Sequence, residues 1–176
     1  ELIDNAQKSF MDWKRFKLDE RLRTIEKIKS NLISKKIECA NKITEEMGKP
    51  IKESRMEVEK CVWVLKYFAE NAEQFLKKEF INTGYKESYI QYDPLGVVLG
   101  IMPWNFPYWQ VVRFIAPVLM AGNTCIIKHA SNVSGCSLLI EKLIIENTPF
   151  KNMYRTLLIS SDKVEKIIKH KDIKAI

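Results

Sequence analysis

A stiff loop carries the residues best placed for chemistry. The sequence PWNFP occupies residues 103–107 and follows a continuous apolar run, Leu95–Met102. Two prolines four residues apart each fix φ, so the loop has little freedom. Asn105 lies close to the start of the helix that Pro107 begins, where a rigidly held amide can donate a hydrogen bond to an oxygen that gains negative charge. From spacing alone, a helix cap at Asn105, with Trp104 and Phe106 in the core, is the simpler interpretation.

A second candidate segment is Lys128–Ser131. It lies at the end of the run Thr124–Lys128, which predicts a buried strand. Carboxyl ends of parallel strands share one edge of an open sheet, so we expect this segment beside the loop at 103–107. There Lys128 could reach ligand hydroxyls or a phosphate; a lysine that only extends into solvent is the alternative. His129 is not expected to bind metal, because the only other histidine is His170 and no Cys/His cluster accompanies it.

The familiar phosphate-binding and nucleophile motifs are missing. The sequence has no G-x-G-x-x-G, no G-x-x-x-x-G-K-[ST] and no G-x-S-x-G. Its four cysteines, at positions 39, 61, 125 and 136, form no C-x-x-C pair, which argues against a disulfide framework and against a metal site. Cys61 on an apolar helical stripe and Cys125 in a buried strand are expected to be inert core thiols in a reduced, cytoplasmic protein.

The composition is that of an ordinary globular chain. With 176 residues, 46% of them hydrophobic and 29% charged, it can bury a core and is neither fibrous nor disordered. Its net charge of +7 is spread along the chain without a basic stripe, so we expect no nucleic-acid partner. Residues 94–127 contain one formal charge, Arg113. Prolines and polar residues interrupt this segment, which predicts a buried core and no membrane span.

Three segments are predicted, with boundaries at 1–82, 83–93 and 94–176. The first is helical: apolar residues from Leu22 to Met47 recur at three- and four-residue steps, and a second amphipathic run spans Val58 to Leu76. Gly48 and Pro50 form a stop signal between the two runs. The middle segment holds an exposed strand over Tyr85–Tyr92.

The third segment alternates strands with helices, which predicts βαβ units and a parallel sheet in an α/β fold. The expected strands are Leu95–Met102, Thr124–Lys128, Tyr154–Ile159 and one that begins at Ile173; the expected helices are Pro107–Ala121, Ser134–Asn147 and Ser161–His170.

Several separated motifs resemble the aldehyde dehydrogenase superfamily, in the right order and over nearly the whole chain. They are MGKP at 47–50, Glu57-Val58-Glu59, PWNFP at 103–107, Ala116-Pro117, AGNT at 121–124 and KHAS at 128–131. The segments PWNFPYWQVVR at 103–113 and KHASN at 128–132 are similar to the succinate-semialdehyde dehydrogenase branch. The resemblance implies a helical N-terminal region followed by the first βαβ units of a Rossmann-like sheet, truncated before the catalytic domain.

The resemblance also implies roles for individual residues in binding NADP or NAD. Asn105 would be the oxyanion donor of an oxidation that converts an aldehyde to a carboxylic acid. Met102, Pro103 and Trp104 would line the nicotinamide-ribose side, and Lys128, with His129, Ala130 and Ser131, would hold the adenosine ribose. Ser131 stands where NAD-preferring relatives often have glutamate. A hydroxyl there leaves room for a 2′-phosphate and removes a repelling carboxylate, which favours NADP.

The aldehyde itself is less well specified. Trp109 and Arg113 lie near the implied substrate tunnel, and succinate semialdehyde is one candidate substrate. Arg113 could bind a substrate carboxylate, but pairing with a buried protein carboxylate is an equally good interpretation.

In the family, the nucleophilic cysteine, the general-base glutamate and a Gly-Ser turn lie beyond the position that matches Ile176. We therefore expect this chain to be inactive by itself, as part of an enzyme that is a homo-oligomer when intact. A stand-alone remnant that only binds a nucleotide or pairs with other subunits is the alternative, motivated by the exposed strand at Tyr85–Tyr92. An α/β domain without surviving function is a third possibility.

Overall fold

The computed structural model describes residues 1–146 and 148–176. Four helices come first, as the amphipathic spacing predicts: α1 (Leu2–Trp13), α2 (Leu18–Ser34), α3 (Lys36–Met47) and α4 (Ile51–Leu76). The predicted stop signal is confirmed, because α3 ends at Gly48, with φ +73°, and Pro50 precedes α4.

The apolar spacing from Leu22 to Met47 predicts one helix, and the structure has two. The chain leaves helical geometry at Lys35, with φ −104° and ψ 14°. At the preceding residue, the hydroxyl of Ser34 donates to the carbonyl of Asn31 at 2.9 Å, a local bond that competes with the helical ladder. The apolar stripe continues across this break, so periodicity alone does not reveal it.

A short two-stranded ribbon follows the helices. Strand β1 (Glu79–Phe80) pairs antiparallel with β2 (Tyr89–Ile90). The predicted strand over Tyr85–Tyr92 is therefore too long, because only two of its residues find a partner. Strand β1 also falls inside the segment predicted to be helical.

A parallel sheet confirms the predicted α/β fold. Its strands are β3 (Val97–Met102), β4 (Thr124–His129), β5 (Tyr154–Thr156) and β6 (Ile173–Ala175), in the order β5-β4-β3-β6. Helices α5 (Trp109–Met120), α6 (Ser134–Ile145) and α7 (Val164–Ile168) connect them, with single 3₁₀ turns before α6 and α7.

Some predicted boundaries differ from those observed. Strand β5 ends three residues before the predicted Ile159, and the predicted helix over Ser161–His170 is a 3₁₀ turn followed by the five-residue α7. The predicted helix Ser134–Asn147 corresponds to α6, and its predicted last residue, Asn147, lies outside the described residues.

Both faces of the sheet are covered, which explains its unbroken apolar strands. On one face, Cys125 and Ile127 join a core that helices α2 to α6 share. On the other face, Leu99 and Ile126 pack against Ile3 of α1 in a second, smaller cluster. Among the helices within the described residues, none has the length and apolarity needed to cross a bilayer.

Candidate functional site

The carboxyl ends of β3 and β4 bring the two candidate segments together, as predicted. Ile101 pairs with Lys128 and Met102 with His129 in the parallel register. The pairing continues one residue further, where the N–H of Ala130 donates to the carbonyl of Met102 at 3.0 Å. The loop that starts at Pro103 and the segment that ends at Ser131 therefore leave the sheet side by side.

Asn105 does not cap the helix that follows it, so the simpler interpretation from spacing is wrong. Helix α5 begins four residues later, at Trp109, with Tyr108 as the cap residue. The side-chain amide of Asn105 makes no hydrogen bond to any residue in the part of the chain that the structure describes. Trp104 and Phe106 do not fill the core either, since they are 51% and 43% exposed. The loop presents these groups outward.

The carboxylate of Glu57, in α4, caps the N-terminus of α5. Its Oε1 accepts hydrogen bonds from the N–H groups of Tyr108 at 2.9 Å and Trp109 at 3.1 Å. Its Oε2 pairs with the ammonium of Lys49, which also donates to the carbonyl of Asn105 at 3.1 Å. A carboxylate at a helix N-terminus satisfies free N–H groups and the helix dipole together.

The carboxylate of Glu46, in α3, caps the N-terminus of α6 in the same way. Its two carboxylate oxygens accept from the N–H groups of Gly135 and Cys136, each at 2.7 Å, in the first turn of α6. Sequence reasoning missed both carboxylates. Glu57 did give a signal, because it lies on the apolar stripe of α4 beside Val58 and Cys61, but the helix it would reach was not evident from the spacing.

His129 ties the loop to the sheet. Its buried ring contacts the carbonyl of Pro107 through Nε2 at 2.8 Å, and Nδ1 lies 3.0 Å from the N–H of Ala130. Together these contacts require a neutral ring with the proton on Nε2, which donates to Pro107 while Nδ1 accepts. Burial lowers the pKa of His129, although the Pro107 carbonyl opposes the shift. The side chain is thus engaged within the protein.

Among the predicted ribose-binding residues, Lys128 and Ser131 differ from His129 in having free side chains. Lys128 is half-buried and Ser131 exposed, and neither side chain has a hydrogen bond or ion pair within residues 1–146 and 148–176. Met102 is half-buried, and Pro103 and Trp104 are exposed at the same edge. An ammonium, a hydroxyl and an aromatic surface are therefore left free at the end of β3 and β4.

Arg113 lies one turn after Trp109 in α5 and faces a cleft of about 670 Å³ that Met102, Gln110 and Ile176 also line. It is exposed, and no acidic group of the described chain pairs with it. Pairing with a buried protein carboxylate, one of the two interpretations from sequence, is not found within the described residues. The half-buried Trp109 lines a second cavity, of about 400 Å³, and the ammonium of Lys60 lies 4.1 Å from its ring centroid.

All four cysteines are free and buried. Burial raises the pKa of Cys39 to about 11 and raises the pKa values of Cys61, Cys125 and Cys136 as well. A nucleophilic cysteine needs an accessible thiolate. None of these four thiols meets that condition.

Comparison with known proteins accounts for this combination of residues. The family model described as "Aldehyde dehydrogenase family" matches residues 1–176. The chain belongs to the aldehyde dehydrogenase family. Two curated members of the family are similar to it: a probable succinate-semialdehyde dehydrogenase [NADP(+)] of Synechocystis, 40% identical over 98% of this chain, and a succinate-semialdehyde dehydrogenase [NADP(+)] of Mycobacterium avium, 47% identical over 75% of it.

A solved structure has the same architecture. The succinic semialdehyde dehydrogenase of Streptococcus pyogenes, in complex with NADP⁺, superposes with a TM-score of 0.93 and 29% identity over 98% of this chain. The chain spans only 38% of the length of the Synechocystis aldehyde dehydrogenase, 29% of the Mycobacterium avium one and 38% of the Streptococcus chain. The matched region of an aldehyde dehydrogenase is thus the helical part with the first strands of its sheet.

Proposed function

We propose that this chain is the first part of the cofactor-binding half of an NAD(P)-dependent aldehyde dehydrogenase, which oxidises an aldehyde to a carboxylic acid. One observation carries the proposal: the register of β3 and β4 places the free amide of Asn105 and the free side chains of Lys128 and Ser131 at one edge of the sheet. Similarity to relatives named succinate-semialdehyde dehydrogenase [NADP(+)], at 40% and 47% identity, supports it.

The residues present fit the adenosine end of the cofactor. A ribose offers hydroxyl groups, and Lys128 and Ser131 can hydrogen-bond with them because neither is engaged elsewhere. With a hydroxyl and no carboxylate at position 131, a 2′-phosphate meets no like charge there, and the nearby ammonium of Lys128 attracts it. We therefore favour NADP over NAD, in agreement with the names of the relatives.

The residues at the nicotinamide end of the site are proposed to take part in the reaction itself. Met102, Pro103 and Trp104 are proposed to line the nicotinamide-ribose side, and the bound cofactor supplies the hydride acceptor. Asn105 is proposed to donate a hydrogen bond to the aldehyde oxygen as that oxygen becomes negative. His129 and Ala130 hold these two segments together through Pro107 and Met102. Since the four cysteines are buried thiols, we propose that the nucleophile is not among them and that this chain alone is inactive. We also propose that the enzyme is cytoplasmic.

For the substrate we propose a short aldehyde with a carboxylate, of the succinate semialdehyde type. The guanidinium of Arg113 is unpaired and borders the cleft behind the loop at 103–107. A planar guanidinium binds a carboxylate through two parallel hydrogen bonds. Trp109, one turn earlier on α5, lines the second cavity, so the structure does not bring it together with Arg113 in one cleft.

Calorimetric titration of the chain with NADP⁺ tests the proposal. We expect saturable binding that Lys128→Met weakens about tenfold, which is the loss of about 1.4 kcal/mol from one charge-assisted contact. Lys52→Met on the exposed side of α4 is the matched control and should bind like the wild type. Absence of binding at millimolar NADP⁺, or equal affinities for the two variants, contradicts the proposal.

The proposed inactivity has its own assay. Succinate semialdehyde and NADP⁺, incubated with the chain, should give no rise in absorbance at 340 nm above the protein-free blank. A rate proportional to the concentration of the chain would overturn this part.

A subunit-pairing role is the second candidate. The β1–β2 ribbon favours it, because Phe80 is 69% exposed and Tyr89 and Ile90 are 42% and 43% exposed, and a ribbon of this kind presents unpaired strand edges. We propose that these residues contribute to a homo-oligomer in the intact enzyme. Size-exclusion chromatography of the chain and of Phe80→Ser tests it: the variant should elute later, and identical elution contradicts this role.

A further inference from the structure

Lys49 and Glu57 form the most deeply buried ion pair within residues 1–146 and 148–176; their side chains are 7% and 1% exposed. Lys49 lies in the turn between α3 and α4, between Gly48 and Pro50. Gly48 adopts φ +73°, a conformation that favours glycine, and the ring of Pro50 restricts the backbone of the residue before it, Lys49. The turn therefore holds the backbone of Lys49 in one place.

The contacts of this pair hold the backbone from Asn105 onward. The ammonium of Lys49 donates to the carbonyl of Asn105 at 3.1 Å and lies 3.9 Å from the ring centroid of Phe106. Glu57 binds the N–H groups of Tyr108 and Trp109. The backbone around Asn105 is thus fixed from the carbonyl at 105 to the first residue of α5, while its side-chain amide remains free to meet a ligand.

Stability alone does not explain a charged pair in this position. Two buried charges lose their hydration, and apolar replacements of similar size are often no less stable. Lys49 balances the buried charge of the carboxylate that caps α5, and it adds a hold on the carbonyl of Asn105 that neither the cap nor the charge balance requires. Charge-assisted hydrogen bonds are short and directional, which suits a group that must hold a loop at a defined position.

We propose that Lys49 and Glu57 are positioning residues that hold the Asn105 amide where it meets the substrate oxygen. The benefit to catalysis rests on the proposed function, in which Asn105 is the oxyanion donor. The positioning itself is a property of this chain and can be tested without turnover. It also gives a role to the MGKP motif and to Glu57, for which the sequence suggested none.

The test is nuclear magnetic resonance of the labelled chain, with Lys49→Met/Glu57→Gln compared with the wild type. This double variant removes both charges and leaves no unpaired one. We expect it to remain folded, but to show at least tenfold faster hydrogen exchange at the N–H groups of Tyr108 and Trp109 and a shifted, broadened side-chain amide signal of Asn105. The matched control is Lys36→Met/Glu59→Gln, an exposed pair that also joins α3 to α4; it should leave both signals unchanged.

Unchanged exchange and an unchanged Asn105 signal in the folded double variant would overturn the proposal. If the double variant does not fold, Lys49→Arg and Lys49→Gln decide. Arginine keeps the charge and should restore the wild-type Asn105 signal, whereas glutamine should not; identical signals in the two variants contradict the proposal. The Asn105 signal reports on positioning even if NADP⁺ does not bind, so failure of the proposed function and failure of this inference are distinguishable.

Discussion

Replacing Ser131 with glutamate should lower the affinity of the candidate ribose site for a ligand that carries a 2′-phosphate. Ser131 is exposed at the end of the segment 128–131, and its side chain has no partner in the described chain. The substitution is therefore expected to leave the fold intact. Its main effect is to add one negative charge at the position where we expect the 2′-phosphate of NADP.

The size of the effect follows from Coulomb's law. A phosphate with close to two negative charges, about 6 Å from the new carboxylate in water, is repelled by about 1.4 kcal/mol at low ionic strength, which corresponds to about a tenfold loss of affinity. At about 0.15 M salt, screening halves this energy roughly, to a factor of about three. The value for bulk water applies because the position is exposed.

The assay uses two ligands that differ only in the group tested. Adenosine 2′,5′-bisphosphate and adenosine 5′-monophosphate are titrated calorimetrically into the wild type and into Ser131→Glu at low salt. The bisphosphate should lose about tenfold in affinity, while the monophosphate should change less than about twofold. Ser30→Glu on α2 adds the same charge outside this edge and should change neither. Equal losses for both ligands, or no loss for the bisphosphate, would refute the placement of the 2′-phosphate beside Ser131.

Two further predictions concern the groups that hold the site. Glu46→Ala removes two charge-assisted hydrogen bonds at the start of α6 and should lower the free energy of unfolding in urea by about 2–4 kcal/mol; a loss below about 0.5 kcal/mol would show that water replaces the carboxylate. Because burial lowers the pKa of His129, the unfolded state binds more protons below about pH 6.5, so stability should fall as the pH drops from about 6.5 through the lowered pKa. His129→Gln should reduce this loss between pH 7.5 and 5, measured by urea titration, and an unchanged pH dependence would contradict the assignment.

Much of the fold follows from local patterns in the sequence. Apolar runs without charge predict the strands β3 and β4, and the meeting of their carboxyl ends follows from the parallel arrangement. The stop signal at Gly48 and Pro50 is a local property of the backbone, and its prediction is correct. Helix α1 shows the same kind of signal, because Ile3, Phe10 and Trp13 recur at helical spacing, yet the sequence analysis did not single it out.

The errors concern contacts between distant residues. The length of β2 depends on a two-residue partner strand ten positions earlier, which no alternation within Tyr85–Tyr92 reveals. The capping interpretation of Asn105 failed because the N–H groups of α5 are bound by Glu57, 51 and 52 positions away. Similarly, whether Arg113 is paired or free depends on which carboxylates the fold brings near it. Residue types and spacing indicated a site at this edge, but the tertiary packing decides which of its side chains are free.

The central claim is that the edge formed by β3 and β4 binds the dinucleotide. It is tested most directly by titrating the labelled chain with NADP⁺ and following the backbone amide signals. The account predicts saturable shifts concentrated at Met102, Trp104 and Lys128–Ser131, with the ribbon of β1 and β2 unaffected. Shifts centred elsewhere in the chain, or none at millimolar NADP⁺, would contradict it.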